Sequence, residues 1–537
     1  MKLNHESLKN AAQWQQLGVK VPAFDRDAML AATEESPVWV HFGAGNIFRG
    51  FIAVLQQRLL EMGLEKSGII AAETFDFDII DKIYAPYDSL TMNVTLRADG
   101  STDKEIVASL AKGLKAGTAF AEDWNALQAA FEKPSLQMAS FTITEKGYAL
   151  RDMKGNLLQI VKDDMAAGPD APHHAMACVA SLMYARYLAG AAPIALVSMD
   201  NCSHNGEKLR RAVLDVAQAW QDAKLVPAGF VEYLSDEEKV SFPWSMIDKI
   251  TPRPADVIAQ QLEALGIEEM GAVVTSRNTY IAPFVNAEAP QYLVVEDRFP
   301  NGRPALEKAG VYMTDRDTVN ATERMKVTTC LNPLHTALAV FGCLLGYDTI
   351  AAEMKDPDLK KLVETIGYVE GMPVVTDPGI LNPEDFLREV LTERLPNPFI
   401  PDTPQRIATD TSQKIPIRFG ETIKSYMMSP TLNAADLKAI PLALAGWLRY
   451  LLAVDDEGKE MPVSSDPMLA TLQAELAGVE LGKPESCRGK LDGILTNAVL
   501  FGSDLKAVGL ADKIEGYLCE LLAGPGAVRA TLKKYLG

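Results

Sequence analysis

The stretch that decides the fold is VWVHFGAGNIFRGF, residues 38–51. Its first five residues predict a buried strand, and the periodic run Ile47–Met62 predicts the helix that follows. Gly43 and Gly45 lie between them, where glycine allows a tight turn and lets backbone amides approach a pyrophosphate at the helix N-terminus. Phe48 replaces the third glycine of the usual GxGxxG fingerprint, so a purely structural turn stays an equal alternative at this point.

Four nearby residues are candidates for holding a dinucleotide. Asn46 lies in the turn, and Arg49 falls in the first helical turn, within reach of a phosphate. Glu73 closes a second predicted strand, where an acid can bind the adenosine ribose hydroxyls and disfavour a 2′-phosphate. Asp76 is a second candidate for that role. The acids predict NAD rather than NADP as the cofactor.

The wider pattern predicts two domains. Up to about residue 315, short apolar runs alternate with amphipathic runs, which favours an α/β class with a Rossmann-type, doubly wound and largely parallel sheet. Beyond it the pattern changes to helices of ordinary length, with no clean alternation. We therefore expect an NAD-binding domain over residues 1–315 and a mostly α-helical substrate and catalytic domain over residues 316–537. The clearest predicted elements are strands at Gly68–Glu73, Ser140–Thr144, Ile194–Asp200 and Gln291–Phe299, the last of the sheet, and helices at Met176–Gly190, Lys208–Gln221, Leu334–Leu345 and Ala434–Leu452.

The composition excludes several classes of partner. The 537-residue chain is 48% hydrophobic with a formal net charge of -19, so phosphate backbones and anionic lipids would be repelled. We expect no nucleic acid and no membrane partner, and a monomer or small homo-oligomer. The six cysteines include no CxxC pair and the start has no apolar signal segment, which favours a reducing, cytoplasmic setting.

The stretch MKVTTCLNPLHTAL, residues 325–338, carries an amine, an amide and an imidazole among apolar and small residues. On one straight α-helix, Lys326 and His335 would face opposite sides. Asparagine is a good N-cap and proline suits a first turn, so Asn332 and Pro333 predict a break that lets both side chains face one pocket. The alternative is a capped helix with a core histidine and a snorkelling lysine.

Seven segments in order resemble the mannitol dehydrogenase family of polyol-specific long-chain dehydrogenases, and its uronate-reductase branch in particular. They are GAGNIFRG (43–50), TITEKGY (142–148), SMDNCSHNG (198–206), FPWSMIDKITP (242–252), VVEDRFPNGRP (294–304), KVTTCLNPLH (326–335) and NPFIPDTPQRIATDTSQKIP (397–416). The resemblance implies a zinc-independent dehydrogenase with a Rossmann-type N-domain and a helical C-domain.

The resemblance also implies the roles of individual residues. Lys326 is then the general base, and Asn332 and His335 bind the reacting oxygen. Asn201 contacts substrate, and Arg406 and Lys414 complete the pocket. The family pattern is usually K-x4-N-x2-H, whereas five residues separate Lys326 from Asn332 here, so we expect a π-bulge to absorb the extra residue.

The chemistry explains why these residue types are needed. Without zinc, a side chain must take the hydroxyl proton, and burial and nearby cations lower the high pKa of a free lysine. Amide and imidazole groups then donate hydrogen bonds to the developing alkoxide. Glu323, one turn earlier, is a candidate proton relay, with a solvent-facing ion pair as the equal alternative. His204 and the pair His173–His174 offer no third ligand with convincing spacing, so no metal site is predicted.

Three functions remain open at this point. The first is NAD-dependent interconversion of a sugar acid and its keto form, either D-mannonate and D-fructuronate or D-altronate and D-tagaturonate. The second is a mannitol or arabinitol type of polyol 2-dehydrogenase. The third is a non-catalytic sensor of NAD or of a sugar acid, which the complete set of lysine, asparagine and histidine disfavours.

Overall fold

A computed structural model describes residues 1–536. The chain divides into two compact units. The first unit comprises Met1–Leu96 and Ser101–Asn320, and the second comprises Arg97–Gly100 and the chain from Ala321 onward. The second unit therefore begins a few residues after the expected position 316, and the short segment 97–100 belongs to it.

The fifteen strands found among residues 1–536 all lie in the first unit. In chain order they are β1 Val19–Lys20, β2 Trp39–Phe42, β3 Ile69–Glu73, β4 Thr91–Leu96, β5 Thr102–Val107, β6 Leu110–Lys115, β7 Met138–Phe141, β8 Ile194–Ser198, β9 Val240–Ser241, β10 Ser245–Asp248, β11 Val273–Val274, β12 Tyr280–Ile281, β13 Phe284–Glu288, β14 Tyr292–Glu296 and β15 Tyr312–Thr314.

The main sheet is fully parallel and has the strand order β6-β3-β2-β7-β8-β9. The chain runs outward from β2 through β3 to β6, and then returns to the other side of β2 through β7, β8 and β9. Its central strands β2, β3, β7 and β8 are buried along their whole length, as expected for strands covered on both faces. The reversal between β2 and β7 is the switch point where α/β sheets bind ligands, and Gly43 follows β2 there.

Three smaller sheets were not anticipated from the sequence. A four-stranded sheet has the order β1-β5-β4-β13, a three-stranded sheet has the order β10-β14-β15, and β11 pairs with β12. The predicted last strand of the main sheet, Gln291–Phe299, is β14 and lies in the three-stranded sheet instead. It pairs antiparallel with β10 and parallel with β15, and an apolar run alone does not specify which sheet a strand joins.

Helices cover the parallel sheet of the first unit. The helix predicted from residue 47 is π-helical over Phe48–Ile52 and α-helical over Ala53–Glu61. The α-helices of this unit are His5–Leu8, Ala11–Gln16, Arg26–Glu35, Ala53–Glu61, Ala121–Glu132, Thr144–Tyr148, Gln159–Ala167, Ala175–Leu188, Asn205–Asp222, Ala228–Ser235 and Asp256–Ala264, followed by Arg316–Met325, which runs into the second unit. Ile80–Tyr84 is a second π-helical segment, and Ala85–Tyr87 and Leu306–Ala309 are 3₁₀ turns.

The second unit is helical, and no strand occurs among its described residues. Its α-helices are Asn332–Leu345, Ile350–Glu353, Pro357–Glu364, Pro383–Glu389, Pro404–Ile407, Thr411–Arg418, Gly420–Met428, Ala439–Tyr450, Leu469–Glu475, Asp492–Leu495, Ala498–Phe501, Ala511–Leu521 and Ala527–Leu536. Its π-helical segments are Lys326–Cys330, Thr365–Gly371 and Val390–Arg394, and its 3₁₀ turns are Met372–Val374, Ala434–Asp436 and Pro484–Cys487.

One continuous helical stretch, Arg316–Leu345, is 30 residues long and apolar enough to cross a membrane by length and composition alone. In its most apolar window, 83% is buried inside the protein. A core helix passes the same test, so this stretch is weak evidence for a membrane span.

Candidate functional site

A π-helical turn at Lys326–Cys330 accommodates the extra residue of the lysine segment. The Leu331 amide donates to the Lys326 carbonyl at 3.1 Å, five residues back. An additional residue in a regular α-helix would rotate the following turns by about 100°, whereas a π-turn absorbs it locally. The predicted π-bulge is therefore present, and it carries Lys326, whose exposed fraction is 2%.

The next helix, Asn332–Leu345, is buried almost throughout. Eleven of its fourteen residues are buried, and the exceptions are Asn332, His335 and the last residue. Asn332 and His335 lie three residues apart on one face. In the first turn of this helix, only the two residues predicted to bind the reacting oxygen are partly exposed.

The cap at this position differs from the expectation. Leu331, with φ -131 and ψ -61, is the N-cap residue, and Asn332 is the first helical residue. No side chain caps this end, so the Asn332 amide does not serve the helix as an N-cap. Pro333 stands in the first turn, as predicted, because its missing N–H is not needed there.

Arg418, the last residue of helix Thr411–Arg418, stabilises the first turn of helix Asn332–Leu345. Its Nη1 donates to the Thr336 hydroxyl at 2.7 Å and lies 3.5 Å from the Asn332 carbonyl. Burial lowers the pKa of Arg418 to about 10, so it stays charged at neutral pH. The guanidinium fixes the backbone that carries Asn332 and His335.

His335 is half-buried, and its environment keeps it neutral. Burial lowers its pKa to about 4, Asp402 opposes the shift, and the charges of Arg418, Arg394 and Arg406 add to it. A neutral imidazole can donate one hydrogen bond and accept another. At any pH well above 4, His335 is therefore able to donate to a carbonyl or alkoxide without holding a charge.

Arg406 and Lys414 differ in how available they are. The Arg406 side chain is 67% exposed and forms a salt bridge with buried Asp402, with Nε at 2.7 Å from Oδ1. Lys414 is half-buried, and its amine donates to the carbonyls of Ile407, at 3.0 Å, and of Thr409. Burial lowers the pKa of Lys414 to about 8, and the charge of Arg418 adds to the shift.

In the first unit, Gly43 is required by two separate constraints. Its φ of +103 lies in the region that favours glycine. A Cβ at this position would stand 2.2 Å from the Thr142 carbonyl oxygen at the end of β7. The turn after β2 therefore presses against the neighbouring strand end, as a tight dinucleotide-type turn requires.

Gly50, two residues beyond the position of the missing third glycine, allows a close approach between a helix and a strand. A Cβ on Gly50 would lie 2.6 Å from Cγ1 of Val285 on β13, so only glycine permits this close packing. Phe48, at the usual glycine position, stacks on His41 with ring centroids 4.0 Å apart. Gly50 is visible in the sequence, but its packing against β13 could be recognised only from the π-turn at Phe48–Ile52.

Arg49 is not placed to hold a phosphate, contrary to the expectation. Its side chain is fully buried, with Nη1 donating to the Ala282 carbonyl and Nη2 to Asn46 Oδ1, each at 2.9 Å. Burial lowers its pKa to about 10. The π-turn directs the side chain into the core, where it holds Asn46 and, through it, the half-buried turn at Gly45.

Glu73 supports the turn rather than presenting a free carboxylate. One of its oxygens accepts from the Ala44 amide at 2.9 Å, and the other from the amides of Thr74, Phe75 and Asp76 at 2.9–3.2 Å. Burial raises its pKa, and these amides oppose the shift. The expectation that Glu73 faces a ribose is therefore not met in this conformation.

Asp76 has a carboxylate oxygen that is not engaged in a hydrogen bond within residues 1–536, whereas both oxygens of Glu73 accept hydrogen bonds. It is 3% exposed, its Oδ2 accepts from the Thr275 hydroxyl at 2.6 Å, and its Oδ1 is buried without a hydrogen-bond partner in the described part of the chain. Beside it, the Phe75 ring is 64% exposed, and the Arg277 guanidinium lies 4.9 Å from its centroid. An orphaned carboxylate oxygen next to an exposed ring suits the ribose and base of an adenosine. The sequence alone did not single out Phe75 or Arg277.

Asn201 is exposed and follows a tightly held residue. Asp200 accepts from the Tyr148 hydroxyl at 2.6 Å and from the amides of Ile143 and Thr144, each at 2.9 Å. The next helix begins at Asn205 with His204 as N-cap, so Asn201 is not its cap. Asp200 thus ties the ends of β7 and β8 together beside Asn201, at the carboxyl edge of the sheet.

The histidines considered as metal ligands have structural partners. His174 accepts from the Met176 amide at 3.2 Å as a helix cap, and His173 contacts Asp164 at 3.1 Å. His204 packs on Trp244. Within residues 1–536, no group of three His, Cys, Asp or Glu side chains is placed to hold a metal ion.

The predicted residues thus fall into two local groups. In the first unit, Gly43, Gly45, Asn46, Glu73 and Asp76 surround the turn after β2. In the second unit, Arg418 contacts the backbone of Asn332, and the charges of Arg418 and Arg406 act on both His335 and Lys414. Lys326 lies one π-turn before Asn332. Half-buried Glu323 lies three residues before Lys326, on the preceding turn of its helix.

Comparison with known proteins agrees with this division. Residues 38–308 match the mannitol dehydrogenase Rossmann domain, and residues 318–516 match the mannitol dehydrogenase C-terminal domain. The chain is 55% identical to D-mannonate oxidoreductase of Thermotoga maritima, covering 100% of this chain and 99% of the relative.

Solved structures give the same result. A D-sorbitol dehydrogenase in substrate-free form has a TM-score of 0.78 at 25% identity and covers all of both chains. Pseudomonas fluorescens mannitol 2-dehydrogenase, in a ternary complex with NAD and D-mannitol, has a TM-score of 0.70 at 26% identity and covers 99% of each chain. The architecture is that of a two-domain dehydrogenase with a Rossmann unit and a helical unit. The chain belongs to the mannitol dehydrogenase family.

Proposed function

We propose that this protein is an NAD-dependent oxidoreductase that interconverts a sugar acid and its keto form, with D-mannonate and D-fructuronate as the first pair to test. The observation that carries the proposal is the arrangement around the π-turn. A buried lysine precedes a helix whose only polar openings in the first turn are Asn332 and His335. The full-length similarity to a D-mannonate oxidoreductase supports the choice of a sugar acid.

Lys326 acts as the general base in this proposal. Its amine takes the hydroxyl proton of the substrate during oxidation and returns it during reduction. Lys326 is 2% exposed, so bulk water has little access to the proposed base. Glu323, three residues earlier on the same helix, then passes the proton toward solvent.

Asn332 and His335 stabilise the oxygen that gains charge. The Asn332 amide donates one hydrogen bond and the neutral His335 imidazole donates another, as the donors of an oxyanion site do. Arg418 is a positioning residue, because it bonds to the Asn332 carbonyl and the Thr336 hydroxyl that define the turn. Arg418 thus fixes the turn from which Asn332 and His335 donate their hydrogen bonds.

Lys414 and Arg406 bind the carboxylate that distinguishes a sugar acid from a polyol. The Lys414 ammonium has three N–H donors and uses two for backbone carbonyls, which leaves one for substrate. Arg406 donates to Asp402 through Nε and Nη2, which leaves three of its five N–H donors. Asn201, at the carboxyl edge of the sheet, binds a substrate hydroxyl.

The first unit holds the cofactor. NAD, when bound, supplies the acceptor for the hydride. Gly43 and Gly45 form the turn for its pyrophosphate, Glu73 and Asn46 stabilise that turn, and Asp76 binds the adenosine ribose. The structure suits this group because Asp76 Oδ1 is a buried acceptor with no partner among the described residues.

The decisive experiment is a substrate panel of aldonates and alditols, each with NAD and with NADP, followed by absorbance of the reduced cofactor. Losing a charge-assisted hydrogen bond costs about 1.5–3 kcal/mol, so the preferred aldonate should exceed the matching alditol roughly 10- to 150-fold in kcat/KM. D-altronate in the panel tests the second sugar-acid pair.

A polyol 2-dehydrogenase is the second candidate, because the two structural neighbours are named for sorbitol and mannitol. Equal turnover of mannitol and mannonate would favour it. Binding of NAD without any reduction on the whole panel would instead indicate a sensor. We also propose a cytoplasmic location, which fractionation of the source cells would test.

A further inference from the structure

Two of the six cysteines lie next to each other in the second unit. Cys487 ends the 3₁₀ turn Pro484–Cys487, and Cys519 lies on helix Ala511–Leu521. Their Sγ atoms are 2.9 Å apart, although 32 positions separate them in the sequence. The two sulfur atoms would have to approach by about 1 Å to reach the length of a disulfide bond, which is about 2.05 Å.

The surroundings of the pair favour a local reaction. Cys487 and Cys519 are 0% and 5% exposed, yet the residues on either side of Cys487 in the chain are half-buried or exposed. The Cys487 thiol also donates to the Pro484 carbonyl within its own turn. A short turn at the surface can open to admit a small reagent while helix Ala511–Leu521 keeps its packing.

We propose that Cys487 and Cys519 form a reversible disulfide, so that the second unit carries a redox modification site separate from the proposed catalytic residues. The oxidant is a low-molecular-weight disulfide such as oxidised glutathione. One thiolate attacks this disulfide, forms a mixed disulfide and releases one small thiol. The second thiolate then attacks the protein sulfur and releases the other small thiol. The two cysteines lose two protons and two electrons, and the reagent becomes two thiols.

The environment also sets the speed of the reaction. Burial raises the pKa of Cys487 to about 12, and the neighbouring Cys519 adds to the shift. Because the thiolate is the nucleophile, oxidation should be slow at pH 7 and clearly faster at pH 9. A reducing cytoplasm would keep the pair as thiols, which agrees with the cysteine pattern of the sequence.

The test starts from the purified full-length chain, incubated with oxidised glutathione at pH 9 or with dithiothreitol. Mass spectrometry of the oxidised protein should show a loss of 2 Da, and thiol titration in denaturant should fall from six groups to four. Tryptic mapping should link the peptide ending at Arg488 to the peptide ending at Arg529. Closing a loop of this length should raise Tm by about 5–10 °C in the absence of reductant.

Variants provide the matched controls. Cys178→Ala removes a buried thiol elsewhere and should still lose two titratable thiols on oxidation. Cys487→Ala and Cys519→Ala should each keep all five remaining thiols. If one variant fails to fold, the other variant and the wild-type peptide map still decide the question. Six thiols in the oxidised wild type, or a crosslink between other cysteines, would overturn the proposal.

Discussion

At the scale of single residues, Lys326, Lys414 and His335 lie in different environments. His335 is neutral because burial lowers its pKa to about 4, whereas Lys414 loses its proton near pH 8. Lys326 is buried at the start of a π-turn. Replacing Lys326 should therefore affect proton transfer, and replacing Lys414 should affect carboxylate binding.

Lys326→Ala should lower kcat by about 10²–10⁴-fold, because it removes the proposed proton acceptor. Any pH dependence of the wild-type oxidation rate that arises from the proposed base should vanish in the variant. The measurement is steady-state oxidation between pH 6 and 10, with NAD affinity as the control, since the cofactor residues belong to the first unit. Turnover within a few-fold of wild type would show that Lys326 is a buried structural residue without a catalytic role.

Lys414 should give a pH dependence in KM rather than in kcat. Its ammonium is charged below its pKa of about 8, so the KM for a sugar acid should rise as the pH passes upward through that value. Lys414→Met should raise this KM roughly 10- to 150-fold at pH 7 and remove the pH dependence. An alditol has no carboxylate, so its KM should stay flat. A flat KM for the sugar acid in the wild type would exclude Lys414 as the carboxylate ligand.

At the scale of secondary-structure elements, two π-turns set the positions of the proposed site residues. Phe48–Ile52 turns Arg49 into the core and lets Gly50 pack on β13, and Lys326–Cys330 absorbs one residue before Asn332. Hydrophobic periodicity does not resolve an extra residue per turn over five residues, so the π-turn at Phe48–Ile52 reads as ordinary helix in the sequence, whereas the second π-turn was expected from the residue count between Lys326 and Asn332.

Deletion of Val327 tests the second π-turn. If the turn only absorbs an additional residue, the deletion should convert it to an α-turn and leave the flanking turns in phase. We expect a folded enzyme with kcat within about tenfold of wild type, measured together with circular dichroism. Deletion of Ala321, in the regular α-helical part, is the control and should be far more damaging, since it rotates one flank by about 100°. Equal loss of activity in both deletions would mean that the π-turn itself is required.

At the scale of the whole molecule, the residues proposed to bind the cofactor and those proposed to transfer the proton belong to different units. The first unit has the parallel sheet with its switch point at β2 and β7, and the second has the helices that carry Lys326, Asn332 and His335. The net charge of -19 repels anions in general, so anion binding depends on local groups of cations such as Arg406, Lys414 and Arg418.

The choice between NAD and NADP is a prediction about the first unit as a whole. Asp76→Asn removes the charge that would repel a 2′-phosphate, so the preference for NAD over NADP should fall by tenfold or more. Glu73→Gln should weaken both cofactors alike, because Glu73 holds the turn through the Ala44 amide. Titration calorimetry with each cofactor measures both effects. If Glu73→Gln changes the preference for NAD over NADP and Asp76→Asn does not, Glu73 rather than Asp76 binds the ribose.

The sequence by itself determined the class of fold and the family. Strand, glycine turn and helix are contiguous in Val38–Phe51, and period and apolar content identify β2, β3, β7 and β8 without any long-range information. The seven ordered segments likewise identified the mannitol dehydrogenase family, which the comparisons confirm. The π-bulge before Asn332 was also predictable, because a count of residues against the family pattern requires it.

Only the tertiary structure decided where individual side chains point. Arg49 and Glu73 stand at positions suited to a phosphate and a ribose, yet Arg49 bonds to Ala282 and Glu73 to Ala44, which are distant in the chain. The same holds for Arg418, whose contact with Thr336 spans 82 positions, and for Cys487 and Cys519. The physical reason is that local sequence fixes backbone periodicity, whereas hydrogen-bond partners of buried polar groups depend on which segments the fold brings together.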